Sequence, residues 1–246
     1  MCREIRFSLG FFGHHDLVDL CHDILYYIAP DSVMIGLRGL SYWIKGNLFI
    51  SVTNELNSVS RFALRGPSYV PPTGFQKLAD NAEPTSEVIF KLVDEAFEEG
   101  KIAMSSMDAA PVTFEGYGEP LLRAELVCEA ADMIKEARHG VPLHLVTNGL
   151  VNQSSSGDMI QKLKASGISK VIVSLLTDNP KQYNEIMCPR DGTSFGDVCS
   201  FVTGCVENDL EVECTTVAIP GINVRSVRGL AFALGAQDFQ VLDYHP

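Results

Sequence analysis

A membrane-spanning stretch is missing from this 246-residue sequence: no apolar run approaches the ~18 residues that crossing a bilayer demands. No secretory leader is expected either. The opening MCREIRFSLGFFGHHDLVDL sets one acidic and two basic residues before a broken apolar stretch, with neither a long apolar centre nor a small-residue cleavage site. Paired cysteines are absent as well: Cys2, Cys21, Cys128, Cys188, Cys199, Cys205 and Cys214 form an odd, scattered set without the spacing of a disulfide framework or a zinc site. A cytoplasmic setting is the expectation. Clustered positive charge is scarce, with 19 Lys and Arg dispersed against 31 Asp and Glu and a formal net charge of −12. Sequence-independent nucleic-acid binding needs such clusters. The expected partner is therefore a small molecule or a protein, with neither nucleic acid nor membrane, and the oligomeric state is left open.

What is present is an alternation. From residue 47, short aliphatic or β-branched runs exchange with longer amphipathic ones, as successive βα units do. The strand-like runs are NLFISVT, APVTF, PLHLVT, KVIVSLL, EVECTTVAI and FQVLDY. Between them, PTSEVIFKLVDEAFEEG has Thr85 or Ser86 as an N-cap, apolar residues at helical spacing and Gly100 as a stop. Comparable stretches run through LLRAELVCEAADMIKEARHG, GDMIQKLKASG, the broken PKQYNEIM and SFGDVCSFVTGCVEN, and VRSVRGLAFALG. Six strands and five linking helices suit a partial (β/α)6 barrel, although the repeat alone is equally consistent with a doubly wound sheet. In both architectures ligands gather at the carboxyl ends of the strands. A Pro-rich loop over 67–84 is expected above that end.

The division expected is an extension over 1–40, with a helix through DLVDLCHDILYYIAP ended by Pro30, and a core domain over 41–246. His14, His15, Asp16, Cys21 and His22 lack the helical or paired spacing of metal ligands, so no metal site is assigned to them. A nucleophilic pairing of Cys188 with His14, His15, His139, His144 or His245 has no hydrolase signature around it.

The strand ends carry the informative residues. In FEGYGEPLLR, Gly116 and Gly118 permit close backbone approach to a ligand, Glu119 supplies an acceptor, and Pro120 opens a helix. Thr147, Asn148 and Gly149 end the third run, Ser174 lies near the end of the fourth, and IPGIN follows the fifth.

Taken in order, GNLFISVTN, FEGYGEP, LVTNGL, YNEIMCPRDG and LGAQDFQVLDY resemble the radical S-adenosylmethionine (SAM) superfamily, most closely its TatD-associated branch. The resemblance runs from about Tyr42 to the carboxyl terminus. It implies a six-unit partial barrel whose loop after the first strand carries CxxxCxxC, three thiolates that hold three irons of a [4Fe–4S] cluster. The fourth iron then chelates SAM. It further implies that Gly116, Gly118, Glu119 and Pro120 line the SAM amino group, and that Asn148, Ser174 and Arg190 belong to the cofactor site, the last two as ribose or carboxylate contacts.

Laid on that pattern, TNELNSVSRFALR puts Leu56, Ser60 and Ala63 at the three cysteine positions, while Thr53, Asn54, Phe62 and Arg65 keep the family-like surroundings. Leu and Ala offer no donor atom, and a Ser hydroxyl is a far weaker acid than a thiol. The expectation is a non-catalytic member of the fold, without a [4Fe–4S] cluster, retaining a SAM- or nucleoside-type pocket that binds SAM weakly because the anchoring iron is gone. Two alternatives stand beside it: an active radical SAM enzyme with atypical cluster ligation, and a scaffold protein acting through its acidic surface and amino-terminal segment.

Overall fold

In the computed structural model, residues 38–79, 82–102 and 109–246 are described. The expected helix over DLVDLCHDILYYIAP and the histidines and cysteines around it lie outside them. Residues Leu37–Pro246 form one compact unit. Its sheet has seven strands in the spatial order β1 to β7: Ser41–Ile44, Asn47–Ile50, Val112–Phe114, Leu143–Thr147, Ile168–Ser174, Glu211–Val217 and Asp238–Leu242. Strands β2 to β7 are the six expected runs, each parallel to its neighbour. The sheet curls into a partial barrel, as the βα rhythm and the resemblance implied.

One strand lies beyond that expectation. β1 pairs antiparallel with β2 through a two-residue turn, Ser41 opposite Ile50 and Ile44 opposite Asn47. Both turn residues have positive φ, Lys45 at 50° and Gly46 at 83°, the backbone hand that matches the twist of a tight hairpin. The turn caps one edge of the sheet with a local strand, which needs no helical crossover.

The linking helices are α1 (Ser86–Glu98), α2 (Ala124–Ala137), α3 (Gln153–Ala165), the pair α4 (Pro180–Met187) and α5 (Phe195–Glu207), and α6 (Val224–Ala233). Thr85 caps α1, its Oγ1 accepting from Val88 N at 3.4 Å. Ile89, Val93, Ala96 and Phe97 recur on one face of α1 and are buried. The sheet side under the helices is filled by Leu48, Ile50, Val112, Phe114, Leu145, Val171 and Val173, all essentially inaccessible.

Because successive side chains alternate across a strand, the neighbours of these residues share the concave side. The register aligns Phe49, Thr113, His144, Lys170 and Glu211 in one row, and Val146, Ile172, Glu213 and Asp238 in the next. A closed barrel packs this interior with branched aliphatic side chains. Here it is largely polar, and Lys170 is held there by ion pairs to Glu211 at 3.0 Å and Glu213 at 2.8 Å. No helix among the described residues is long and apolar enough to cross a membrane.

Candidate ligand site at the strand ends

The loop after β3 folds tightly onto the loop after β2. A Cβ on Gly116 would lie 2.5 Å from Ser51 Oγ, and one on Gly118 would lie 2.5 Å from the carbonyl oxygens of both Thr53 and Glu55. Close approach is thus required at both positions. The neighbour is the chain itself, whereas the sequence suggested a ligand. Gly118 N donates to Thr53 O at 3.2 Å and Glu119 N to Glu55 O at 2.8 Å, which fixes the two loops together.

That docking buries Glu119. Its Oε1 accepts from Leu121 N at 3.0 Å and from Thr147 Oγ1 at 2.6 Å, and its Oε2 accepts from Asn148 N at 2.8 Å. Burial outweighs these donors and holds the carboxyl above its ordinary range. Asn148 continues the network: Nδ2 donates to Asn57 Oδ1 at 2.7 Å and Ser58 Oγ at 2.9 Å, while Oδ1 accepts from Leu150 N at 2.9 Å. The TNG motif therefore joins the β3 loop to the β2 loop. Helix α4 adds a tie, with Val59 N donating to Met187 O at 2.8 Å.

Gly116, Gly118, Glu119, Pro120, Asn148 and Ser174 line one small cavity of about 30 Å³, together with Leu56, Val59, Arg61 and Glu115. Arg190 stands apart from that lining, donating from N to Asn57 O at 2.8 Å and from Nη1 to Leu56 O at 3.4 Å. The cavity has room for about one or two water molecules and is far below the roughly 300 Å³ from which small-molecule sites begin. Arg61 and Glu115 were not singled out in the sequence. They form an ion pair between loops 54 residues apart, so only their separate settings, SRF and FEGYGEP, were visible beforehand.

The three positions that the resemblance sets at the cluster ligands supply no thiolate, Leu and Ala carrying no donor atom and Ser only a hydroxyl, so these side chains do not fit a cluster. Leu56 lines the small cavity with an aliphatic side chain. Ser60 is buried, its Oγ donating to Tyr117 O at 3.4 Å and accepting from Phe62 N at 3.3 Å. Ala63 is exposed at the start of the 3-10 turn Ala63–Arg65. The cysteines within the described residues are dispersed: Cys205 and Cys214 are core thiols pushed up to about 12 by burial, Cys128 and Cys199 are half-buried, and Cys188 is exposed. Among the described residues, no group of three or more His, Cys, Asp or Glu could hold a metal ion.

A curled sheet of parallel strands with helices outside defines the βα half-barrel class. The radical SAM superfamily model matches residues 73–234, and the chain belongs to that superfamily. It is 36% identical over 102 residues to a probable GTP 3′,8-cyclase of Methanocaldococcus jannaschii, covering 42% of this chain and 30% of that protein. With the probable GTP 3′,8-cyclase of Methanococcus maripaludis, strain C5, it shares 34% over 137 residues, 52% of this chain and 43% of the relative. The chain thus spans less than half the length of these curated relatives. Among solved structures, Streptococcus suis SuiB bound to precursor peptide SuiA matches all of the chain and 48% of its own, at TM-score 0.57 and 11% identity. TYW1 with a lysine–pyruvate adduct matches 87% of the chain and 73% of its own, at TM-score 0.53 and 12% identity. These likenesses speak to the fold.

Proposed function

We propose that this chain is a radical SAM-fold protein that has given up its [4Fe–4S] ligands and acts as a non-catalytic ligand-binding member of the superfamily, nearest its TatD-associated branch. The observation that carries the reading is the pairing of an intact Glu119–Thr147–Asn148 network with Leu56, Ser60 and Ala63 where the family pattern has thiolates. One lone pair of Glu119 Oε2 remains for an ammonium group, and an ammonium beside it would favour the charged carboxylate. The residual pocket is of the SAM or nucleoside type, in a cytoplasmic protein whose partner is a small molecule or another protein. Without iron to chelate it, and with about 30 Å³ open, SAM binds no tighter than about 0.1 mM. Anaerobic incubation with iron and sulfide, followed by absorption and electron paramagnetic resonance spectroscopy, tests the reading. Bound iron at substoichiometric levels without a cluster signal supports it, and a stable cluster signal overturns it.

A second reading is favoured by the relatives, which carry the names of enzymes: an active radical SAM enzyme whose cluster is held by ligands other than residues 56, 60 and 63. Incubation with SAM and a strong reductant decides between the two. Formation of 5′-deoxyadenosine establishes the enzyme, and its absence leaves the ligand-binding protein.

A further inference from the structure

The helix side of the sheet is covered unevenly. Strands β3 to β7 each arrive through a helical crossover, whereas β1 reaches β2 through the turn at Lys45–Gly46 and brings no helix of its own. A cleft of about 180 Å³ lies there, between the β1–β2 hairpin and α1. Trp43 stands opposite Leu48 in the antiparallel pair, and directly opposed residues share a face, so its indole points to the helix side as Leu48 does. Helix α1 and its C-cap supply Leu92, Glu95, Ala96 and Glu99, which recur three and four residues apart on one face. Ser41 and Lys101 complete the lining.

The chemistry of this cleft is layered. Leu48 and Ala96 form a buried floor. Trp43 is a half-buried wall, and none of the cation–ring contacts among the described residues uses its ring. At the mouth stand two carboxylates against one ammonium: Glu99 is paired with Lys101, while Glu95 reaches only Lys91, at 3.7 Å between two largely exposed side chains. An exposed pair of that kind contributes little, so the Glu95 carboxylate remains available. Volume then decides the size of the occupant. The cleft is well below the roughly 300 Å³ of small-molecule sites, too small for a whole metabolite and large enough for one long side chain. An apolar floor, an aromatic face and a carboxylate at the mouth match a cationic side chain, whose stem is buried while its charge meets the ring and the carboxylate.

We infer that the cleft between β1 and α1 is a docking socket for an arginine or lysine side chain on a basic segment of a partner protein. Arginine suits it better, because a flat guanidinium stacks on an indole. Charge selects this occupant over a second copy: the chain carries −12, which draws a basic partner in and sets two copies against each other. The socket shares no lining residue with the cavity at Glu119. It goes beyond the ligand-binding reading and stands whether or not a cluster forms or SAM binds.

Trp43 is the only tryptophan in the sequence, so its selectively excited fluorescence reports on the cleft. The full chain, without SAM or iron, is titrated with acetyl-Gly-Arg-Gly-amide, acetyl-Gly-Lys-Gly-amide and the uncharged isostere acetyl-Gly-citrulline-Gly-amide. At least one basic peptide is expected to give a saturable change with Kd of about 1–10 mM, about fivefold tighter than the citrulline peptide. Glu95→Gln, at an exposed position, is expected to weaken that peptide about threefold while the melting temperature stays the same. The inference is overturned by the lack of a saturable change with both basic peptides, by equal binding of the citrulline peptide, or by unchanged affinity in Glu95→Gln. Sedimentation of the protein alone checks the occupant. Self-association that Glu95→Gln abolishes would make the occupant a second copy and overturn the separate partner, whereas sedimentation that Glu95→Gln leaves unchanged supports it. Because SAM and iron are left out, failure here leaves the cluster question untouched, and the reconstitution experiment leaves this one untouched.

Discussion

Glu119 spends three hydrogen-bond acceptor positions on its own chain, and its carboxyl is nevertheless raised by burial. A raised folded-state value means that the native protein holds the proton more firmly than the unfolded chain. The stability gained is then complete below the ordinary carboxylate range and is lost as pH rises through the raised value. Glu119→Gln has no such proton. The parent-minus-variant unfolding free energy, measured in urea, should therefore fall steadily from about pH 4 to neutrality, and a flat difference would contradict the buried-acid reading. Gly118 gives a steric counterpart. Adding a methyl group 2.5 Å from two carbonyl oxygens forces the β2 and β3 loops apart, and Gly118→Ala should cost about 1–3 kcal/mol in thermal or urea unfolding.

Short elements hold the site by their ends. Asn179 caps α4, its Oδ1 accepting from Lys181 N at 3.0 Å and Gln182 N at 3.1 Å, and the far end of α4 offers Met187 O to the loop at Val59. Asn179→Ala should lower stability by about 1 kcal/mol, with amide exchange at Val59 accelerated more than that at Val171 in the sheet centre. At this scale the sequence was a good guide where periodicity carries the signal. Helix α1 and strands β2 to β7 follow from apolar spacing and β-branched runs. Strand β1 was missed because SYWI alone is four residues long, although the Lys45–Gly46 pair between two aliphatic–aromatic stretches was a usable hairpin signal. The polar concave face was not legible either. Thr113, His144 and Lys170 each read as ordinary alternation within a strand, and only the inter-strand register sets them side by side. Likewise Gly116 and Gly118 were recognisable as points of close approach, but which surface approaches them depends on how two loops 54–65 residues apart dock.

For the molecule as a whole, the donor chemistry of one loop decides between the two functional readings. Restoring thiolates tests this directly. Leu56→Cys, Ser60→Cys and Ala63→Cys together should raise reconstituted iron from near zero to about four per chain, with broad visible absorption that the parent lacks; a parent that acquires the same colour refutes the premise. The helices and sheet are unaffected by these exposed or loop positions, so circular dichroism should be unchanged.

The same loop owes its shape to residues near the other end of the chain. His245 N donates to Arg65 O at 2.7 Å, Ser68 N to His245 O at 3.3 Å, and Arg65 Nε to Asp243 O across 178 residues. Contacts so remote in sequence are entropically late to form. The half-barrel can assemble strand by strand, but the rim is latched only once the segment after β7 has arrived. Partial unfolding should therefore unlatch the rim before it frays the sheet: in native-state hydrogen exchange, Ser68 and His245 amides should open at lower free energy than Leu145 or Val173.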